Sequence, residues 1–291
     1  MNIECVVDSH SIVGEGALWD PSRNCLWWVD IMGELLHRYD PSSGANKSWE
    51  MGEPIGCLAV RASGGLMLAT KSGFHAFDPE TGAKTPVTDP EGDHPANRFN
   101  DGGTDRQGRF WAGTMQQSGE RQQVGAFYRL DPDLTASKMM SDFWVTNGVA
   151  FSPDGKTMYA SDTGAAVRTV WAFDYDTNTG TPSNKRVLID THGTNGRPDG
   201  GCVDADGCYW YANIGGWSVI RLTPEGVVDR VVDVPVEKPT KPMFGGENLD
   251  ILYVTSLSEG LDPERPQPHA GGLFEITGLG ITGVADVPFA G

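Results

Sequence analysis

Short apolar runs alternate with polar turns along the whole chain, and no segment shows the sustained apolar stripe of an amphipathic helix. Six polar turns recur, and a run rich in aromatic and branched residues follows each of them. These six runs are predicted strands: Leu26–Val29, Leu66–Ala69, Phe110–Ala112, Met158–Ala160, Tyr209–Ala212 and Leu252–Val254. The pattern therefore predicts six β-hairpins.

A further alternating strand, ending in Asp or Thr, is predicted after each hairpin: Leu35–Asp40, Gly73–Asp78, Ala126–Asp131, Thr169–Asp174, Ser218–Thr223 and Gly272–Thr277. The ends of these strands are 38 to 54 residues apart, a spacing typical of four-stranded propeller blades. Lys185–Asp190 and Val227–Val234 are candidate outer strands, and Glu4–Val7 could pair with the last blade and close the ring. We predict an all-β fold, a single six-bladed β-propeller domain over residues 1–291.

Composition and charge narrow the range of partners. The 38 glycines and 19 prolines fit a fold with many turns, and the net charge of −17 argues against nucleic acid or an anionic membrane as partner. The first basic residue is Arg23, so the N-terminus does not match a secretory signal. Five cysteines without a Cys-x-x-Cys pair predict reduced thiols in a cytoplasmic protein. The oligomeric state stays open, and a monomer is compatible with the sequence.

One register position carries the candidate chemistry. Counting back 12 to 14 residues from the second strand of a blade reaches Glu15, Asn100, Asn147 and Asp199 in four of the six repeats. Each falls near the start of a predicted innermost strand, and innermost strands line the central channel of a propeller. We therefore expect these side chains to converge, although the first and last are 184 residues apart in the sequence.

Two carboxylates and two amide oxygens facing one channel suit a hard divalent cation such as Ca²⁺, Mg²⁺ or Mn²⁺, and Zn²⁺ also binds such ligands. A small ligand set leaves coordination positions open, as a catalytic metal requires. The alternative is that the acids only accept hydrogen bonds from channel amides. We favour a central-channel metal site, because buried acids without partners are costly.

Four short motifs together resemble one known family: Gly14-Glu15-Gly16, Arg98-Phe99-Asn100-Asp101-Gly102, Asn147-Gly148 and Pro198-Asp199-Gly200. Their combination and spacing are similar to the regucalcin/gluconolactonase family, and the likeness runs over nearly the whole chain. The resemblance implies a six-bladed propeller, one divalent metal ion and hydrolysis of a small-molecule sugar lactone to an aldonic acid.

Residue by residue, the resemblance implies that Glu15, Asn147 and Asp199 are metal ligands and that Asp199 is also the catalytic acid/base. Arg98 and Asn100 would then bind the substrate. Family members often place a glutamate soon after Gly-Thr-Met to contact substrate, whereas this chain has Gln116-Gln117-Ser118 there. That departure leaves the identity of the sugar open.

Two other functions stay open from the sequence. A metal-dependent phosphotriesterase or arylesterase on the same scaffold would need a more apolar channel mouth, and a non-catalytic calcium-binding propeller would use the channel ions structurally. Arg98 favours the lactonase, because a structural ion has no use for a neighbouring cation. Arg197 and Lys241 also fall near the channel, where each could bind a product carboxylate or form a salt bridge.

Overall fold

The computed structural model describes residues 1–291, and the chain forms 24 β-strands and no helix. In chain order the strands are β1 Asn2–Val7, β2 Gly14–Asp20, β3 Cys25–Asp30, β4 Leu35–Asp40, β5 Ala45–Glu50, β6 Ile55–Val60, β7 Leu66–Thr70, β8 Gly73–Asp78, β9 Ala83–Thr88, β10 Asn97–Thr104, β11 Phe110–Gln116, β12 Gly125–Leu130, β13 Ala136–Phe143, β14 Thr146–Phe151, β15 Thr157–Asp162, β16 Thr169–Asp176, β17 Thr181–Asp190, β18 Arg197–Val203, β19 Tyr209–Ile214, β20 Ser218–Leu222, β21 Val228–Asp233, β22 Pro239–Gly245, β23 Ile251–Ser256 and β24 Leu273–Thr277. No element of the structure is a helix that could span a membrane.

The strands form six four-stranded antiparallel sheets, as predicted. Five sheets use consecutive strands, and the sixth joins β22, β23 and β24 to the N-terminal β1, which pairs antiparallel with β24. Each innermost strand packs against the innermost strands of the neighbouring sheets, so the six sheets form a ring. The predicted six-bladed propeller and its closure by the N-terminal strand are confirmed. Because β1 pairs with β24, the edge of β24 is not left unpaired.

The second strand of every blade is almost wholly buried, because its aromatic and branched side chains pack between neighbouring sheets. Outer strands were harder to place from the sequence. The fourth blade's outer strand begins at Thr181, not at Lys185, because its first residues pair with an extended β16 up to Asp176. Those added residues are mostly exposed and polar and so give no hydrophobic signal.

The five cysteines form no disulfide, and four of them are buried. The C-terminal segment after β24 closes one end of the channel. Phe289 is fully buried in an apolar cluster, the Thr104 hydroxyl donates to the Val287 carbonyl, and Arg106 donates to the Ala285 carbonyl at 2.9 Å. Access to the channel is therefore from the other end, where the innermost strands begin.

Candidate metal centre

A β-bulge interrupts the pairing of every innermost strand with its neighbour, and the candidate residues lie at these bulges. The register shifts immediately after Glu15 and Asn147, and Asp199 lies inside the shift of β18. A bulge bends the strand and redirects a side chain, which explains how a residue of a strand comes to point along the channel. Gly16 and Gly148 adopt positive φ values of 62° and 68°, which glycine accommodates without steric cost.

The second blade contributes no ligand at this register position. Gly56 stands there, and a Cβ atom on it would lie 2.3 Å from the carbonyl carbon of Phe99 and 2.5 Å from the backbone nitrogen of Asn100. Only glycine fits, because the neighbouring strand that carries Arg98 and Asn100 passes directly over it.

The structure brings all five sequence-predicted residues to one open pocket of about 190 Å³. Its polar lining comprises Glu15, Arg98, Asn100, Arg121, Asn147, Thr163, Arg197, Asp199 and Thr240. Five apolar side chains, those of Val13, Met115, Val145, Ile214 and Leu257, complete the wall. The convergence inferred from the repeat register is thus present, while the role of each residue stays a prediction.

Glu15 and Asp199 are buried carboxylates with 4% and 5% exposure, and neither forms a salt bridge. Glu15 accepts a hydrogen bond from the Gly16 backbone at 2.9 Å, and Asp199 has only a long contact of 3.4 Å with the Thr163 hydroxyl. Burial and then the charge of Asp101 raise the pKa of Glu15 to about 8. Burial and the charge of Glu15 hold the pKa of Asp199 well above its usual range.

The Asn147 amide is held in one orientation by the chain itself. The Thr163 hydroxyl donates to the Pro198 carbonyl at 2.7 Å and therefore accepts from Asn147 Nδ2 at 2.8 Å. Asn147 Oδ1 is left with one donor, Asn100 Nδ2 at 3.2 Å. The amide oxygen is thus available on the side of the pocket that Glu15 and Asp199 also line.

These donors fit a divalent cation. Two carboxylates that repel each other, with no cationic partner, stand beside a fixed amide oxygen, and oxygen-only sets are those that Ca²⁺, Mg²⁺ and Mn²⁺ prefer. A bound cation would remove the repulsion that disfavours two charges in one buried pocket. Glu15, Asn147 and Asp199 are therefore suited to hold the metal that the sequence predicts.

Arg98 and Asn100 form one hydrogen-bonded unit next to these residues. Arg98 Nη1 donates to Asn100 Oδ1 at 2.6 Å and to the Phe99 carbonyl at 2.8 Å, while its buried Nε has no partner. Burial lowers the pKa of Arg98 to about 10, and the charge of Glu15 partly offsets this effect. The guanidinium is therefore cationic at neutral pH. Both donor positions of Asn100 are used, one on the Thr146 carbonyl at 2.9 Å and one on Asn147.

Sequence reasoning gave no role of their own to two contributors to the channel, Asp101 and Thr163. Asp101 and Lys241 form a buried ion pair, which is the salt-bridge alternative for Lys241, and the Lys241 ammonium also donates to the Gly102 carbonyl at 2.9 Å. Thr163, which orients Asn147, lies just after a strand and carries no motif. Lys241 stands at the same register position as the candidate ligands, so only its pairing with Asp101 lacked a sequence signal.

Similar proteins of known sequence identify the family of this chain. Residues 13–258 match the family model described as "SMP-30/Gluconolactonase/LRE-like region", which spans every candidate residue. The chain belongs to the SMP-30/gluconolactonase/LRE-like family. Regucalcin from Xenopus laevis is 40% identical, with alignment over 100% of this chain and 99% of that protein. The 6-deoxy-6-sulfogluconolactonase of Pseudomonas putida is 37% identical over 99% of both chains.

Solved structures agree with this membership. The crystal structure of a calcium-binding protein, regucalcin, from Agrobacterium tumefaciens matches with a TM-score of 0.92 and 30% identity, covering 98% of this chain and 96% of that one. Relatives in the SMP-30/gluconolactonase/LRE-like family thus carry names of two kinds, a calcium-binding protein and a lactonase.

The stretch after β11 is where this member departs from the family pattern noted from the sequence. Gln116 Nε2 donates to the Ser118 carbonyl at 2.8 Å, and its Oε1 accepts from the Gln122 backbone at 2.9 Å. Gln116 therefore stabilises its own loop, and neither it nor Gln117 lines the pocket. The same loop instead supplies a cation, Arg121, to the pocket wall.

Proposed function

We propose that this protein is a divalent-metal-dependent lactonase that opens a sugar lactone to an aldonic acid. The observation that carries the proposal is the single pocket in which two buried, unpaired carboxylates and a fixed amide oxygen stand beside a buried arginine. The Pseudomonas putida relative, named as a lactonase of a sulfonated sugar, supports the same class of substrate.

Glu15, Asn147 and Asp199 would hold the metal. When bound, a divalent cation polarises a carbonyl and lowers the pKa of water from 15.7 to about 7 in favourable sites. The preference for Ca²⁺, Mg²⁺, Mn²⁺ or Zn²⁺ is left to experiment, because the oxygen ligands are compatible with each of them.

Asp199 would act as general base toward water. Burial is the main cause of the high Asp199 pKa and the charge of Glu15 the next. A bound cation would compensate both carboxylates and favour the ionised Asp199, which can accept a proton. Attack of the resulting hydroxide on the lactone carbonyl carbon forms a tetrahedral intermediate with a negatively charged oxygen. Collapse breaks the ring C–O bond, and Asp199 returns the proton to the leaving alkoxide.

Arg98 would bind the substrate and stabilise the developing negative charge. Its Nε is buried without an acceptor, so a substrate oxygen there satisfies an otherwise unpaired donor. Asn100 accepts a hydrogen bond from Arg98 Nη1 and donates one to Asn147, which couples substrate binding to the predicted metal ligands. The charged lining also favours a polar substrate over the apolar esters of an arylesterase.

The deciding experiment compares Asp199→Asn with the parent on a panel of aldonolactones, with and without chelator. Asparagine keeps an oxygen for the metal but cannot accept a proton at neutral pH, so we expect kcat to fall roughly 10²- to 10⁴-fold at saturating metal. Mass spectrometry of the native protein measures metal content beside the initial rates.

Asp250→Asn is the matched control, since Asp250 is exposed in the turn between β22 and β23. The control should keep the parental rate. A metal-loaded Asp199→Asn variant with near-parental kcat would rule out Asp199 as the base, and full activity after complete metal removal would overturn the metal dependence.

A further inference from the structure

Outside the metal pocket lies a larger open cavity of about 740 Å³, which we call the outer vestibule. Its charged lining consists of Arg121, Arg168, Arg197, Lys238, Glu237 and Glu259. Arg121 and Arg197 line both spaces, so the vestibule continues into the metal pocket. Four cations face two carboxylates here, although the whole chain has a net charge of −17.

The four cations come from four different blades. Arg121 lies between β11 and β12, Arg168 between β15 and β16, Arg197 begins β18, and Lys238 directly precedes β22. All four positions are at the end of the propeller where innermost strands begin, the same end at which the metal pocket opens. Propeller topology therefore gathers them around the entrance, although up to 117 residues separate them in the sequence.

None of the four forms a salt bridge within the chain. Arg168 Nη2 donates to the carbonyls of Thr194, at 2.9 Å, and Gly196, while its buried Nε has no partner. Lys238 donates to the carbonyls of Glu259, at 3.0 Å, and Gly260. Neutral backbone groups thus position these two side chains and leave their charge uncompensated.

The two carboxylates of the vestibule do not neutralise these cations. Glu237 Oε2 accepts from the Asp262 backbone at 3.3 Å and from Gln267 Nε2 at 3.4 Å. Glu259 is exposed, and it contributes its backbone carbonyl, not its carboxylate, to Lys238. Arg121 and Arg197 have no hydrogen-bond acceptor in the protein, so their guanidinium groups are free to bind a ligand.

We propose that the outer vestibule binds an anionic group at the end of the sugar lactone that is remote from the ring carbonyl. The chemistry fits a sulfonate, a phosphate or a carboxylate. This inference rests on the proposed lactonase function and specifies its substrate class.

The orientation follows from the shape of the channel. The metal pocket shares Arg121, Arg197, Ile214 and Leu257 with the vestibule. The cavity toward the C-terminal segment is lined by Lys241, which is buried in its pair with Asp101, and it shares no lining residue with the metal pocket. A substrate whose carbonyl reaches the predicted ligands therefore extends toward the vestibule. An uncharged sugar would leave the cations without a partner, whereas an anion gains charge-assisted hydrogen bonds from planar guanidinium groups.

The test uses the metal-loaded protein and lactones that differ only at the remote carbon. The neutral probe is glucono-1,5-lactone, and the anionic probes are its 6-phospho, 6-deoxy-6-sulfo and 6-carboxylate counterparts. We expect kcat/KM to be about tenfold or more higher for at least one anionic lactone. Added salt should lower that value and leave the value for the neutral lactone nearly constant, because salt screens exposed charges.

Arg121→Gln and Lys238→Gln should each reduce the preference for the anionic over the neutral lactone, and the double variant should reduce it by about tenfold. Glutamine keeps a hydrogen-bond donor and removes only the charge. Lys156→Gln is the matched control, because Lys156 is exposed in the turn between β14 and β15, at the opposite end of the blade. It should leave the preference unchanged.

Each outcome decides between the hypotheses. Hydrolysis of the neutral lactone with equal or lower kcat/KM for all anionic lactones overturns the anion site and leaves the lactonase intact. An anionic preference that survives in the double variant also overturns it. No hydrolysis of any lactone by the metal-loaded parent overturns both proposals, and the three anionic probes identify which group the vestibule selects.

Discussion

The buried carboxylates of the channel differ in whether a cation of the protein pairs with them. Asp101 is saturated: its Oδ1 contacts the Lys241 ammonium, and its Oδ2 accepts from the Gly148 backbone at 2.7 Å. Glu15 and Asp199, at the bulges of β2 and β18 in the same ring, have no cationic partner. Removing one partner of a buried ion pair is strongly destabilising, because a buried charge without a partner carries the full cost of its desolvation. We therefore expect the Asp101–Lys241 pair to be structural, and we propose Glu15 and Asp199 as the carboxylates that bind a ligand.

The two ends of the channel differ in the same way. At the lower end, Arg106 satisfies its guanidinium on the carbonyls of Phe151, Ser152 and Ala285, and the C-terminal segment covers the opening. At the open end, the buried Nε of Arg98 has no hydrogen-bond partner, and the half-buried Arg197 forms no salt bridge. Of the buried polar atoms without a partner, Arg98 Nε is the one carried by a residue of the metal pocket, and a substrate oxygen there would satisfy it.

The largest effect we expect comes from removing the cation of the saturated pair. Lys241→Met leaves Asp101 buried and unpaired, so the free energy of unfolding should fall by about 3–5 kcal/mol. Equilibrium denaturation of the metal-loaded protein measures it. The double variant Asp101→Asn with Lys241→Met should recover part of the loss, because no bare charge remains. A loss under about 1 kcal/mol for the single variant would mean that the pair is not structural.

This comparison shows what the sequence could and could not predict. The blades were readable, because each turn is followed by a buried aromatic or branched strand such as Tyr209–Ala212. Convergence of Glu15 and Asp199 was readable from the repeat register. The pairing of Asp101 with Lys241 was not, because it joins the third and sixth blades and depends on bulges, which leave no periodic signal.

The charges at the entrance were also beyond sequence reasoning. Arg121 lies on an exposed loop, and the departure at Gln116 showed only that an acidic contact was missing, not that a cation had come into the pocket. Loop residues reach a site through tertiary geometry, so neither hydrophobic pattern nor repeat spacing places them.

An intermediate effect should separate the arginines at the two ends of the channel. Arg98→Ala should lower kcat/KM by about 1.5–3 kcal/mol, roughly 10- to 150-fold, with metal content unchanged. Arg106→Ala, its matched control at the closed end, should lower the unfolding free energy and leave kcat/KM near the parental value. Steady-state kinetics and metal analysis of both variants test this, and loss of metal from Arg98→Ala would instead assign Arg98 to the ligand shell.

The smallest effect concerns the unpaired acids and the pH dependence of stability in metal-free protein. The pKa of Glu15 is about 8 in the folded chain against an ordinary value of 4.5, so between these values the folded state holds a proton that the unfolded state has lost. The contribution of Glu15 to the free energy of unfolding should therefore be fully present below pH 4.5. It should be lost as pH rises toward 8, by at most about 1.4 kcal/mol per pH unit. Glu15→Gln should flatten this slope, and so should bound divalent metal.

Lys241 contributes no slope over this range, because Asp101 overcomes the effect of burial and raises the lysine's pKa from 10.5. Denaturation midpoints measured in chelator across the range decide the matter: a flat or rising profile for the parent would show that Glu15 and Asp199 are not the strained pair on which the metal site depends.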